Sequence, residues 1–504
     1  MNVVFSNPSS MYRFDMPLAS AVALAVFVAA LYFTFKLKNF IKTHAGFGKA
    51  VHKYSVLIAL AGLAVLFVFQ LMEAHGIYRP VGWDCGNIVG CAVKGDLSSQ
   101  RFYFSTYPNN LLMYCILKVL LKAFFHFGGT NYWLFLSVVN ILLIDFAVFL
   151  VFLVCKKLFG LACGFVSYAL FILIFGFSPW IVVPYSDTFS MFFTPLILLL
   201  FLYFQSAKKL GLKFILLFFI GFLTVAGYYI KPYVVIVSIA IFIYLVIYSI
   251  NSIKKIGICL LTLAVIASGA VCSGYAYQVK VKEPYAKVLD YSAALPMSYF
   301  FMMGLNTAVS KGTGKTLYGA YSGQDNLFAY SLPTPQAKQS ETTRVALERI
   351  RNYTPKGYAQ FLSNKANWVF SDGTFWVEGE GYDVDTPSSS TTGFSKWIQS
   401  IFRFYGSNYS CFAEFAQGIW ILLLFLLICP LFNNGGDFKK AVVNILRIAV
   451  LGFLLYQLLF EARSRYIIAI LPVIIMLAGS GFANFHENFY SYQESDLHPA
   501  HLIK

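Results

Sequence analysis

The sequence predicts an all-α polytopic membrane protein of about eleven transmembrane helices carrying one mixed soluble domain, and three observations predict it. Of 504 residues, 59% are hydrophobic and only 12% charged, about half the charged fraction of a soluble domain. The apolar residues fall into runs long enough to cross a bilayer, which takes about 20 residues of helix. The cations recur in the short loops between those runs. This composition excludes a soluble globule and a disordered chain, and nine Cys are too few for a disulfide scaffold.

The apolar runs lie near 17–35, 54–74, 132–154, 158–178, 190–205, 212–229, 233–250, 256–278, 414–432, 441–460 and 466–483. Each is read as a helix, because a lone strand cannot satisfy its backbone in lipid and no barrel-type alternation is present. The first follows Arg13 and Asp15 and lacks a small-residue cleavage site, so it is expected to be a retained span rather than a signal. Residues 108–126 open with Pro108-Asn109-Asn110 and carry Lys118 and Lys122 one turn apart on one face. They are expected to lie in the outer interface without crossing.

Orientation follows from the basic loops. Lys36, Lys38, Lys42, Lys49 and Lys53 follow the first span, and Lys156/Lys157, Lys208/Lys209/Lys213, Lys254/Lys255 and Lys439/Lys440/Arg447 then fall on the same side. That side is expected to be cytoplasmic. The division is a membrane module at 1–278 with a first outer loop at 76–131, an extracytoplasmic domain at 279–413, and C-terminal helices with a short cytoplasmic tail at 414–504. The inner side has no room for a nucleotide-binding domain, and no GxxxxGK[ST] motif exists. The net charge of +16 comes largely from inner-loop lysines that set topology and attract anionic lipid, so no nucleic-acid partner is implied.

Charged residues at the outer ends of spans are the informative ones, because the orientation rule does not explain them and their burial is costly. They are Asp84, Asp187, Lys231, Glu461, Arg463 and Arg465. Asp187 could cap the helix that starts beside it, and the three cations could be interfacial anchors. Together, two carboxylates and three cations on one face could serve a transfer reaction. Lys231, Arg463 and Arg465 would hold a phosphate as it leaves, and a carboxylate would take the proton of an attacking hydroxyl. In-line displacement at a sugar C1 suits Asp84 on one side and the cations on the other.

The motifs then occur in a recognisable order. An outer-loop Asp84 is followed by Tyr107-Pro108, by Cys155-Lys156-Lys157-Leu158-Phe159-Gly160, by Ser178-Pro179 ahead of Asp187, and by Arg465-Tyr466 leading to Leu471-Pro472. This order resembles the GT-C membrane glycosyltransferases, in particular bacterial members akin to the dolichyl-phosphate-mannose protein mannosyltransferases (GT39-like). Met302-Met303-Gly304-Leu305-Asn306, Gly319-Ala320-Tyr321-Ser322-Gly323-Gln324-Asp325 and Trp368-Val369-Phe370-Ser371-Asp372-Gly373-Thr374-Phe375 are similar to a group of integral membrane proteins of Gram-positive bacteria placed with those transferases. The resemblance implies a hexosyltransferase of the cell membrane with Asp84 as catalytic base, Asp187 as second acid and an extracytoplasmic active site. It also implies a polyprenyl-phosphate sugar donor and an extracytoplasmic acceptor, either a teichoic acid or other cell-envelope glycan or a protein undergoing glycosylation. No cofactor and no metal are required by it, although two acids are also a donor set for Mg²⁺ or Mn²⁺. The eukaryotic mannosyltransferases carry Asp-Glu where this chain has Asp84-Cys85.

The soluble segment has no His/Cys cluster and no hydrolase motif. Asp325, Trp368 and Asp372 are expected acceptor contacts, with core packing for the Trp and a turn for Asp372-Gly373 as the alternatives. Cys85 and Cys91 are close enough in sequence to permit a disulfide. Two other functions fit the charge pattern: a polysaccharide polymerase or ligase using a lipid-pyrophosphate donor, and a lipid-linked sugar flippase or transporter. Transporters favour midplane charges and repeated halves, and neither is visible in this sequence.

Overall fold

A computed structural model describes residues 12–250, 252–309, 314–379, 392–428 and 437–483. The tail expected at 484–504 and the last residues of the run expected at 414–432 lie outside the described residues. The described chain is overwhelmingly helical, and one two-stranded antiparallel ladder, β1 (Thr307–Val309) with β2 (Thr316–Tyr318), is the only sheet in it.

Eleven described helices are long and apolar enough to cross a membrane. That is the expected number with a different membership. By length and apolarity Pro108–His126 qualifies, and the shorter apolar helix Leu161–Gly176 does not. Connectivity sorts the two. Tyr107, at the entrance to α5 (Leu111–His126), hydrogen-bonds Tyr330 at 3.0 Å in the polar insert. Asn131, just past its exit, donates to the Tyr78 hydroxyl at 2.7 Å, immediately ahead of Asp84. The chain therefore enters and leaves α5 at the same end of the bundle, and α5 does not cross it.

The Leu161–Gly176 segment does cross. The Asn131 side chain caps α6 (Tyr132–Phe159) by accepting from the Leu134 N–H at 3.2 Å. Gly160, with φ at +90°, reverses the chain. α7 (Leu161–Phe171) and the π-turn Ile172–Gly176 then climb back along α6. Asn140 of α6 receives them, donating to the carbonyls of Trp180 (2.8 Å) and Ile181 (3.0 Å). Asn140 to Phe159 is about 28 Å at 1.5 Å per residue, close to the hydrocarbon thickness of ~30 Å.

The basic loops gather at the other end. Lys156 donates to Ser55 at 2.6 Å, Lys157 and Lys213 lie over Tyr203 and Phe204, and Lys439 lies over Phe159. The polarity read from the lysines is thus a property of the packed molecule. The helices themselves are joined by backbone contact as well as side chains. In α9 (Leu210–Ile230) and α11 (Ile253–Tyr277), an added Cβ at Gly221 would strike the Ile266 carbonyl and one at Gly269 the Phe218 carbonyl. Small residues of this kind let membrane helices approach where no hydrophobic force drives them together.

The insert between α11 and α17 (Tyr409–Ile428) has its own small core of Leu295, Tyr299, Met302, Met303, Leu305, Ala329, Ala346 and Phe361. It contains α12 (Met297–Gly304), α13 (Gly323–Ser331), α14 (Pro335–Arg351), α15 (Pro355–Phe370) and α16 (Gly393–Phe402). Thr334-Pro335 and Thr354-Pro355 start α14 and α15 in the same way. Each Thr hydroxyl accepts from an N–H three residues on, at 3.1 Å in both cases, and each Pro fills the first helical position.

One stretch of the insert leaves it. Residues 371–377 push into the bundle, where Phe375 is fully buried with its ring 5.3 Å from Trp420 and 6.1 Å from Phe175. Part of their backbone is met there. Gln417 accepts from the Gly373 N–H at 2.8 Å, and Trp180 donates to the Thr374 carbonyl at 3.2 Å. Phe375 and Trp376 hold φ at +54° and +57°, a conformation that costs roughly 1–2 kcal/mol per non-glycine residue.

Candidate functional site

The first contributor is the start of α3 (Trp83–Lys94). The turn into it is tight: an added Cβ at Gly86 would strike the Val81 carbonyl, and Trp83 takes φ of +51° with its ring 71% exposed. Asp84 follows in the first turn, where the unpaired N–H groups of the helix favour a carboxylate. Its Oδ2 accepts from the Tyr185 hydroxyl at 3.2 Å and lies 3.9 Å from Arg465 Nη2. The Asp84 side chain is 40% exposed, and that of Arg465 is 8%. Burial, with the Asp84 charge adding to it and Arg465 opposing, holds the Tyr185 phenol well above its ordinary titration range. It therefore stays a proton donor to Asp84. Tyr103 is shifted the same way by burial and then by Asp84.

Beneath this pair lies a second one. Lys231 Nζ is 2.6 Å from Asp187 Oδ1, and the Asp187 side chain is completely buried. Lys231 sits between α9 and the turn Pro232–Val234 that opens α10 (Val235–Ser249). Burial pulls its titration down, and Asp187 opposes that pull. Three rings surround the ammonium, with Tyr466 at 4.8 Å, Tyr185 at 5.6 Å and Tyr233 at 5.8 Å. Tyr185 and Tyr466 also flank the Arg465 guanidinium, each at 5.3 Å. Two aromatic rings thus separate the two cations while holding both.

Glu461 and Arg463 come from the segment between α18 (Asp437–Leu459) and α19 (Ser464–Ala483), and Arg465 from the first turn of α19. Arg463 Nε is 3.6 Å from Glu461 Oε1, which also accepts from the Tyr466 hydroxyl at 3.0 Å. The Arg463 guanidinium lies over Trp376 at 4.9 Å and Tyr321 at 5.9 Å. It faces the insert, whereas Arg465 faces Asp84.

Five of the eight residues expected at a site are therefore brought together: Asp84, Asp187, Lys231, Arg463 and Arg465. Two details differ from expectation. Arg465 reaches Asp84 itself, so the base and the cations do not stand on opposite sides. The cap of the helix beginning at Ser186 is Tyr185, and the Asp187 carboxylate is turned to Lys231 rather than to the backbone.

The three expected acceptor contacts are committed elsewhere. Asp325 is gripped by Arg349 at 2.6 and 2.8 Å and by Asn306 at 3.1 Å. Trp368 is buried, its Nε1 donating to the Ala462 carbonyl at 3.0 Å. Asp372 folds onto Thr374, accepting from its N–H at 2.8 Å and its hydroxyl at 2.6 Å. Burial raises Asp372 while those hydrogen bonds oppose. All three shape the insert and its junction.

Sequence reasoning gave no site role to Tyr185 or Tyr466, although each stands within two residues of a charged residue it singled out, and it marked Glu461 without assigning it a partner. Cys85 and Cys91 are free. Cys85 points inward with Sγ 3.6 Å from the Pro184 carbonyl, so the residue after Asp84 packs α3 against the Tyr185 loop. Burial raises its thiol. Among the described residues, no three His, Cys, Asp or Glu side chains converge as a metal set.

The sequence model of a family described as conserved hypothetical integral membrane protein matches residues 7–484. No curated protein and no solved structure matches.

Proposed function

Because the chain belongs to the conserved hypothetical integral membrane protein family, a description that ends at the membrane, we propose its activity from the site. We infer a hexosyltransferase of the cell membrane that moves a sugar from a polyprenyl phosphate to an extracytoplasmic acceptor glycan or protein. The observation that carries this reading is the contrast within one contact: a half-exposed Asp84 at a helix N-terminus, 3.9 Å from a buried Arg465. The carboxylate is open to an incoming hydroxyl, and the guanidinium is buried behind it.

In this reading the donor phosphate draws Arg465 away from Asp84, forming forked charge-assisted hydrogen bonds with its oxygens. Asp84, released, accepts the proton of the acceptor hydroxyl as that oxygen attacks C1. The C1–oxygen bond to phosphate breaks, and its electron pair leaves with the polyprenyl phosphate, whose charge Arg465 holds and the Lys231 field supports. Inversion at C1 requires attack opposite the leaving group, and so requires Arg465, which contacts Asp84 in the resting site, to carry the phosphate to the far side of the sugar. Asp187 fixes Lys231 and does not handle the acceptor proton, since it is fully buried and engaged. The proposed reaction requires no cofactor or metal ion, and the EDTA comparison below tests that.

The test is donor turnover by purified protein in liposomes. Polyprenyl-phosphate hexoses and N-acetylhexosamines are supplied with a cell-envelope extract as acceptor, with and without EDTA, and release of polyprenyl phosphate is followed. Release from one donor, insensitive to EDTA and lost in Asp84→Asn, is the expected result. Release only from lipid-pyrophosphate donors would replace this reading with that of a polymerase or ligase, and transbilayer movement of the donor without release would replace it with that of a flippase.

A further inference from the structure

Lys365 of α15 is 0% exposed, and no carboxylate lies within ion-pair distance of it among the described residues. Its Nζ is surrounded by three carbonyls instead: Gly304 at 2.5 Å, Phe460 at 2.7 Å and Leu458 at 3.1 Å. Leu458 lies in the last turn of α18 and Phe460 just past its end, where carbonyls lack helical partners and carry partial negative charge. An ammonium has three N–H donors, one for each carbonyl.

The backbone that follows is tied in the same way. The Glu461 N–H donates to the Phe300 carbonyl at 3.0 Å, the Ala462 N–H to the Gly319 carbonyl at 2.8 Å, and the Ala462 carbonyl accepts from Trp368 Nε1 at 3.0 Å. Two glycines make room for this. A Cβ on Gly304 would strike the Leu459 carbonyl, and one on Gly319, whose φ is +66°, would sit 2.5 Å from Lys365 Cε and 2.6 Å from the Gly304 carbonyl. Three sequence motifs of the insert, around Gly304, Gly319 and Trp368, thus converge on residues 458–462. Arg463 and Arg465 follow directly.

We propose that Lys365 is a positioning residue: through the Leu458 and Phe460 carbonyls it fixes the segment that aims Arg465 at Asp84 and Arg463 at Trp376. The insert is then the part of the molecule that sets the two arginines, and anything that shifts α15 shifts them. The kinetic arm of the test rests on the proposed transferase reading. The structural arm does not.

The structural arm is hydrogen–deuterium exchange of the full-length protein in detergent, comparing wild type with Lys365→Met, Lys365→Gln and Gly319→Ala. In Lys365→Met and Gly319→Ala the Glu461 and Ala462 amides are expected to exchange about tenfold faster, the scale of one lost charged hydrogen bond, while peptides from α6 and α9 keep their protection. Lys365→Gln retains two donors and is expected to recover part of the protection. It also serves, with Gly319→Ala, if Lys365→Met fails to fold. Unchanged protection at 461–462, or loss spread evenly over the bundle, would overturn the proposal.

In the kinetic arm the KM for donor rises about tenfold while the acceptor KM holds, a split that general destabilisation would not produce. A changed exchange pattern in a protein that turns over no donor would leave the positioning role of Lys365 standing and remove the transferase reading.

Discussion

The site contains two acid–cation pairs that differ in nearly every physical respect. Asp187–Lys231 is buried, 2.6 Å long and enclosed by three rings. Asp84–Arg465 is 3.9 Å long, and its acid is 40% exposed. A buried pair cannot be opened cheaply, because either partner left alone keeps its desolvation penalty. A long pair whose acid is open to solvent holds its partners less firmly and can be exchanged for a ligand. The same two residue classes have been put to architecture in one case and left free for chemistry in the other.

The comparison breaks most readily at Asp84. Asp84→Asn is expected to lower donor turnover about 10²- to 10⁴-fold, the usual contribution of a general base, while the unfolding transition in detergent stays where it was. Equal loss of stability and activity would mean that this pair is architectural too. The converse holds for the other pair. Lys231→Met should cost about 3–5 kcal/mol in denaturant unfolding, and adding Asp187→Leu should recover most of that cost, because the stranded charge is gone. A double variant as unstable as the single one would show that the ion pair is not the source of the cost.

Lys365 extends the comparison to a buried cation with no carboxylate bonded to it. Burial pulls it down to about 7, Glu461 opposing, whereas an unfolded lysine titrates near roughly 10.4. The folded state therefore binds this proton less tightly than the unfolded state. Stability relative to Lys365→Met should be lowest and flat below pH 7, and should rise between about pH 7 and roughly 10.4. Melting temperatures of the two proteins measured from pH 6 to 9.5 should diverge in favour of wild type on the alkaline side, and parallel curves would rule the linkage out.

The smallest effect is expected at Tyr185, whose ring contacts both cations and whose hydroxyl reaches Asp84. Tyr185→Phe keeps the ring and removes one hydrogen bond worth about 0.5–1.5 kcal/mol. A fall of a few-fold in turnover with unchanged stability would place its role in orienting Asp84.

Much of this was legible in the chain because lipid imposes simple rules. Apolar runs and lysine-rich loops gave the helices and their common polarity, and Lys118 with Lys122 marked α5 as a helix that stays on one side. Charges at span ends led to five of the site residues because each is costly where it stands. The rest had no such contrast. Tyr185 and Tyr466 are two of 33 tyrosines, and nothing local shows that Tyr185 meets an acid 101 residues away. The partners of Asp325 and Asp372 were not legible, because an exposed acid and a buried one satisfied by Arg349 or Thr374 read alike in sequence.

The wedge at 371–377 constrains how the protein can be made. It takes its hydrogen-bond partners from Trp180, emerging from the ribosome well before it, and from Gln417, emerging after it. Phe375 and its left-handed neighbour can therefore take up their full set of contacts only once α17 is in place. Arg465 lies further along the chain still, so both the Asp84 contact and the seat of Phe375 depend on helices made last.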